Sequence, residues 1–265
     1  MTNPPSPRAA ADPLSPPRAS IAGAPVPSHT GASANPLALP GVFVTGTDTG
    51  VGKTVVAASL CAALRASGRR VAAIKPVLTG LDEADEVAWP LDHELLAAAA
   101  GGDAERIAPL RFGPPMSPHL AAELAGVRLE REAVLAGIHA AAEGAEVAVV
   151  EGVGGLLVPL ADDLLVRDLA QELGLPLVVA ARPGLGTINH TLLTVEAAHA
   201  AGLEIAAIVL TPWPADPTPI ERSNRETIAR LTGLPVETVG HLAAPDPDLL
   251  AAAGAHLVRM LALPG

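Results

Sequence analysis

Residues 45–54 read TGTDTGVGKT and end in the Gly-Lys-Thr of a phosphate-binding loop, yet their first glycine stands one place early. The common pattern sets a glycine and four free positions ahead of Gly-Lys-Ser/Thr, between a buried strand and a helix. Counting back from Gly52, Lys53 and Thr54 puts Thr47 at the first position, with Gly46 just before it. The physical requirements are still met. Cradling phosphate takes successive backbone N–H groups at a helix N-terminus, and glycines that let the backbone approach the anion. Gly50 and Gly52 provide this, with Thr49, Val51 and Val55 completing the nucleotide-binding stretch. Lys53 reaches toward the outer phosphates, and the Thr54 hydroxyl suits magnesium. The stretch reads as a nucleotide loop.

Its setting fixes the fold class. The strand GVFVT ends at Thr45, and the helix that follows the loop runs over residues 53–67, stopped by Gly68. Short apolar runs then alternate with alanine-rich helical stretches: VAAIK (71–75), VAVVE (147–151), PLVVAA (176–181), IAAIVL (205–210) and a weaker PVETVG (235–240). None shows polar alternation, as expected of strands buried on both faces. The alternation predicts an α/β fold, a single domain like those of phosphate-loop NTPases, with a mostly parallel sheet and helices on both faces. Residues 78–143 are too long for a simple crossover and read as an insertion of two or three helices, near the site at one end. Its acidic run, residues 82–86, reads as a solvated loop.

The first forty residues differ from the rest, holding ten of the 27 prolines among Ala, Ser and Gly. Residues 1–40 are therefore expected to be disordered. A transit peptide is the rival reading, since Arg8 and Arg18 face only Asp12, but repeated proline opposes an amphipathic helix and no apolar h-region is present. Residues 41–265 then make one domain, large enough to bury on the order of 70% of its unfolded surface. A formal charge of −11 argues against a nucleic-acid partner. No apolar run approaches the ~18 residues that span a bilayer, so the expected location is the cytoplasm. The one cysteine, Cys61, excludes an internal disulfide and a CxxC metal site, and reads as a small core residue of the loop helix.

In open α/β sheets ligands bind beyond the carboxyl ends of the strands. Those ends deliver Lys75 in KPVLTG, Glu151 in VEGVGG, and the glycine-rich ARPGLGTINH. A buried carboxylate such as Glu151 needs a partner, which a hydrated magnesium ion would provide. Asp92, in PLDHELL, is either a second magnesium ligand or a helix N-cap. Lys75 follows four apolar residues and precedes a proline, so its ammonium is expected to project toward the loop, suited to a developing anion or a transferred phosphoryl group.

With these residues placed, the sequence resembles the dethiobiotin synthetases of the biotin pathway. The matching stretches are TGTDTGVGKT, KPVLTG, SPHLAAELAG, VEGVGG and GLGTINHTLLT, in the family's order, over residues 43–210. The family carries the same early glycine. The resemblance implies an ATP- and magnesium-dependent ligase in which carbon dioxide and 7,8-diaminopelargonic acid form a carbamate. The carbamate takes the γ-phosphoryl group, and the second amine displaces phosphate to close a cyclic urea. It gives Lys53 the transferred phosphoryl and Lys75 the carbamate and phosphoryl oxygens. Magnesium falls to Thr54, Asp92 and Glu151, and Asp92 lies seventeen residues beyond Lys75. Thr79 takes a substrate-contacting place, and the backbone of Gly152, Val153, Gly154 and Gly155 lines the diamine pocket. The substrate carboxylate meets a helix N-terminus of the partner subunit, matching Gly186, Thr187, Ile188 and Asn189 here, which implies a homodimer.

Three departures bear on the substrates. Gly50 stands where the family often has Glu. Thr211, Pro212 and Trp213 stand where a base-reading asparagine is expected, leaving Thr211 as the nucleotide contact, Trp213 either stacking on a base or covering the sheet edge, and other nucleoside triphosphates open beside ATP. The chain also has no tyrosine to meet the substrate tail, where Asn224 and Arg225 are candidate replacements. The rival classes fit less well. A partitioning or septum-placing ATPase carries a signature lysine where Asp48 stands, and a membrane-targeting amphipathic tail where this sequence reads HLVRMLALPG. An amidotransferase-type cobyrinate synthase needs a glutaminase domain with a nucleophilic cysteine. A non-catalytic nucleotide module has no use for Lys75 and Glu151 together.

Overall fold

The computed structural model describes residues 36–82 and 89–264. The stretch expected to be disordered thus lies outside the described residues through position 35, and of the acidic run only Asp82 is described. Leu37 and Leu39 pack on the core and the Pro40 carbonyl accepts the Ala148 N–H at 2.9 Å, so ordered contacts begin ahead of Gly41.

Strand β1 (Gly41–Gly46) is buried along its whole length because it lies between two cores: Val42 and Val44 face one, Phe43 the other. It is central in a six-stranded sheet of order β10-β9-β8-β1-β5-β2, every pair parallel. The partners are β2 (Val71–Ile74), β5 (Val147–Glu151), β8 (Leu177–Ala181), β9 (Ile205–Trp213) and β10 (Val236–Gly240). Helices α1 (Lys53–Ala66), α2 (Asp92–Ala100) and α9 (Pro247–Met260) cover one face. The other is covered by α5 (Arg131–Ala142), α6 (Val166–Leu173), α7 (Thr187–Ala200) and α8 (Pro219–Thr232). The chain leaves β1 toward one edge of the sheet and, after β5, toward the other. The reversal places a crevice above the carboxyl ends of the central strands.

The expected strands are present, with three differences. Among its described residues the stretch read as an insertion of two or three helices holds four: α2, α3 (Ala104–Ile107), α4 (Pro118–Leu124) and α5, the last being the crossover helix back to β5. It also holds β3 (Val77–Thr79) and β4 (Leu110–Phe112), which pair with each other, and a second small pair, β6 (Pro159–Ala161) with β7 (Leu164–Leu165), follows β5. Strands of two or three residues carry too few side chains to show a period. Strand β9 runs on to Trp213 instead of stopping at Leu210. Beyond Leu210 it pairs only with β10, where a register shift and a strand end accommodate Pro212.

Helix α1 is almost entirely buried, and its alanines let α9 approach closely. A Cβ at Gly254 of α9 would lie 2.0 Å from the Ser59 carbonyl oxygen. Gly254→Ala is therefore expected to destabilise the fold by about 2 kcal/mol, the overpacking strain outweighing the ~1 kcal/mol gained in helix propensity. Urea unfolding beside the wild type measures it.

Candidate active site

The glycine that comes early has a packing reason. Val51 folds back into the core beneath α1, and a Cβ at Gly46 would lie 2.8 Å from its Cγ2 and 3.1 Å from Cδ of Lys53. Two anchors hold the loop's entry: the Thr47 N–H donates to Ala180 O at 3.0 Å, and the Gly152 N–H to Val44 O at 2.9 Å. Gly52, with φ +89°, forms the left-handed N-cap of α1. A Cβ there would meet Thr211 Cγ2 at 2.6 Å, so the buried Thr211 is a floor under the loop. Thr49 and Gly50 are exposed at the loop's tip, while Thr54 and Val55 are half-buried in the first turn of α1.

Lys53 is buried, and its ammonium donates to Asp48 O at 2.9 Å. The remaining charges meet beside Thr54. Glu151 Oε1 accepts from the Thr54 hydroxyl at 2.9 Å and from Lys75 Nζ at 2.8 Å, and Lys75 Nζ also donates to Asp92 Oδ2. Lys75 is 3% exposed and Glu151 1%, so the pair is buried at the end of the sheet. The open reading of Asp92 also closes: Leu91 occupies the N-cap, and Asp92, the first helical residue, turns its side chain to Lys75.

Burial works against the Lys75 charge, but Glu151 and Asp92 outweigh it and hold the ammonium above its ordinary value. Burial pushes the Glu151 carboxyl up, with Asp92 adding to it and Lys75 opposing. Burial pushes the Asp92 carboxyl up, but Lys75, together with Thr54 and Lys53, outweighs it and holds the group below its ordinary value. Lys53 is held below its ordinary value by burial and by the like charge of Lys75, against the pull of Glu151.

Thr54, Asp92 and Glu151 offer oxygen donors only, as a hard divalent cation prefers. Glu151 Oε2 is buried with no hydrogen-bond partner among the described residues, which fits a further ligand. Among the described residues no group of three or more His, Cys, Asp or Glu gathers for a metal. Such a sparse set suits magnesium, which keeps waters and shares phosphate oxygens rather than filling a protein cage.

The glycine turn after β5 lies against the loop. A Cβ at Gly154 would come 3.6 Å from Thr49 Oγ1, and one at Gly155 would lie 3.5 Å from Gly46 O, while Gly152 rests on Phe43 and Val166. Val153 is half-buried against the core, and Thr79 is half-buried at the end of β3. In the first turn of α7, Gly186 and Asn189 are exposed, Thr187 is buried and Ile188 half-buried, and no hydrogen bond among the described residues ties them to Lys75. Asn224 and Arg225 are engaged with the chain's own backbone. Asn224 Nδ2 donates to Pro183 O and Gly184 O at 2.9 and 3.1 Å, and Arg225 Nε to Val236 O at 3.1 Å. Arg225 also lies 6.0 Å from the Trp213 ring centroid, and Trp213 packs on the core, which favours the covering role for that ring. One residue at the site was missed. Arg182 directly follows apolar β8, the same signal that marked Lys75, and donates from Nη2 to Thr49 O at 3.1 Å.

A family model described as an AAA domain matches residues 40–246. The ATP-dependent dethiobiotin synthetase BioD of Anaeromyxobacter sp. (strain Fw109-5) is 43% identical over 76% of this chain and 90% of its own length. The dethiobiotin synthetases of Haloferax mediterranei and Bacillus subtilis (strain 168) are each 41% identical, over 81% and 74% of this chain and 90% and 84% of theirs. The chain belongs to the dethiobiotin synthetase family. The convergence of Thr54, Lys75, Asp92 and Glu151 is how this member of the synthetase family builds the end of its sheet.

Lys75→Met keeps the bulk of the side chain but leaves Glu151 buried beside Asp92 without the cation bonded to both. The variant is expected to lose about 3 kcal/mol of stability near pH 8. Because Glu151 then titrates above its unfolded value, the folded variant takes up a proton the unfolded chain does not, and the deficit shrinks as the pH falls toward about 5. Urea unfolding across that range checks both size and sign.

Proposed function

We propose that this chain is an ATP- and magnesium-dependent ligase that converts 7,8-diaminopelargonic acid and carbon dioxide to dethiobiotin, releasing ADP and phosphate. The observation that carries the reading is one shared atom. Glu151 Oε1 accepts both from Thr54 of the nucleotide loop and from Lys75, so the second lysine stands beside the place where the outer phosphates lie. A nucleotide switch has no need of a buried lysine there, whereas a carbamate and a phosphoryl group passing between two acceptors need a fixed cation.

In this reading one amine of the substrate attacks carbon dioxide and loses a proton, giving a carbamate. A carbamate oxygen takes the γ-phosphoryl group and ADP leaves. The second amine then attacks the carbamate carbon, phosphate departs, and the cyclic urea closes. Lys53 and the N–H groups of the loop hold the phosphates, and Lys75 neutralises the carbamate and the phosphoryl oxygens. Thr54, Asp92 and Glu151 would hold magnesium, which supplies charge neutralisation at the phosphate oxygens when bound. The turn of Gly152, Val153, Gly154 and Gly155, lying against the loop, lines the diamine pocket, with Thr79 near its rim.

A homodimer fits the same reading, because the α7 N-terminus is an anion site that no hydrogen bond among the described residues ties to Lys75, and it is available to a second copy. Leu185, at the entrance to α7, is 96% exposed, and Leu193 on the same helix is also bare. Among the described residues no helix is long and apolar enough to cross a membrane.

Purified protein with ATP, magnesium, bicarbonate and the diamine is expected to form ADP and dethiobiotin together, and neither product when the diamine is omitted. Lys75→Ala is expected to cut turnover by about 10²–10³-fold. ATP turnover indifferent to the diamine would sink the reading, and turnover with CTP or GTP instead would place base selection at residues 211–213. Leu185→Glu is expected to yield monomers by light scattering, with loss of substrate affinity.

A further inference from the structure

We infer that Arg182 is a positioning residue of the nucleotide loop, held in place through Asn224 of α8. The inference rests on the nucleotide reading of the loop proposed above. Arg182 Nη2 donates to the carbonyl of Thr49 at 3.1 Å, at the exposed tip of the loop, and would lie 3.5 Å from a Cβ at Gly50. In a planar trans peptide the carbonyl of Thr49 and the N–H of Gly50 point in opposite directions. A guanidinium holding that carbonyl therefore also fixes the direction of the Gly50 N–H. Gly50, at φ +68°, sits two residues before Gly52 at φ +89°. A loop with glycines at these angles has several peptide orientations open to it, and phosphate binding needs one of them.

The arm that carries Arg182 is itself clamped. Asn224 is 8% exposed, and its amide donates to the carbonyls of both Pro183 and Gly184, the two residues after Arg182. The chain of contacts thus runs from α8 through the turn after β8 to the tip of the loop. Lys53 and Lys75 are committed to Asp48 O and to the two carboxylates. Arg182 is instead bonded to the backbone that carries the phosphate-binding amides.

The test compares Arg182→Met, Arg182→Lys and Asn224→Leu in the full chain, with ADP affinity in magnesium measured by titration calorimetry and steady-state kinetics varied in ATP. Arg182→Met is expected to weaken ADP binding and raise KM for ATP by the same factor, about tenfold, the loss of one charge-assisted hydrogen bond. Turnover at saturating ATP should fall by no more than about twofold. Arg182→Lys, which keeps a donor, should recover most of the affinity, and Asn224→Leu should reproduce part of the loss. Unchanged ADP affinity in Arg182→Met overturns the proposal. So does a fall in kcat without a change in ADP affinity, which would place the guanidinium on the reacting atoms. If Asn224→Leu does not fold, the two arginine variants decide alone. A wild-type chain that binds no ADP would overturn the nucleotide reading and this proposal with it, whereas wild-type binding that Arg182→Met leaves intact overturns this one only.

Discussion

Among the described residues Glu151 is the most demanding group: a carboxylate at the end of a central strand, 1% exposed, with one oxygen shared by two donors and the other without a partner among them. An isolated charge there would cost several kcal/mol, and the structure around it is arranged to meet that cost. Thr54 comes from the first turn of α1, Lys75 from the residue after β2, and Asp92 from the start of α2. Three elements far apart in sequence are thus tied to the end of β5. A shift of β2 by one residue would turn Lys75 to the opposite face and leave Glu151 alone, so the ion cluster and the strand register enforce one another.

Stability alone does not account for the cluster. Buried ion pairs exchanged for apolar side chains of similar volume are commonly neutral or stabilising. The sheet around Glu151 is built from Val, Ala and Ile and would accept such an exchange. The rest of the fold depends on small side chains and close approach instead, as where Gly254 lets α9 rest on the backbone of α1. A protein that packs by alanine and glycine gains nothing in packing from a lysine and a glutamate at its centre. Their presence is explained by what the crevice does.

The sequence told most where one physical pattern dominated. Continuous apolar runs marked five of the six strands of the main sheet, since strands buried on both faces carry no alternation, while the edge strand β10 (VETVG), only partly buried, gave a weaker signal. The residue just past each run marked Lys75 and Glu151, because a charged group there has only the crevice to enter. Asp92 was ambiguous for a definite reason: an acidic residue at a helix start satisfies the cap and dipole rules whatever its side chain meets across the sheet. The short strands β3, β4, β6 and β7 left no period to read. Arg182 obeyed the same rule as Lys75 but sat in a stretch whose glycines drew the reading. That Thr211 packs against the back of the loop was not legible, because such a contact and contact with a bound base look alike in one dimension.

Charge counting shows what the site still requires. Lys53 and Lys75 balance Asp92 and Glu151, so the cluster is close to neutral as it stands and offers no net positive charge to an incoming triphosphate. The attraction has to come from groups outside that balance. The amides of the loop, oriented by Gly50 and Gly52, are one source, and they carry partial charges that need no counter-ion. A divalent cation on Asp92 and Glu151 is another, because it would release Lys75 from both carboxylates and leave its ammonium for the substrate. The two sources make different demands. The first needs the loop backbone held in one orientation before the nucleotide arrives, and the second needs carboxylates whose existing partner can be exchanged. A loop whose tip is bonded to Arg182, beside two carboxylates that share one lysine, is the arrangement found at the end of this sheet.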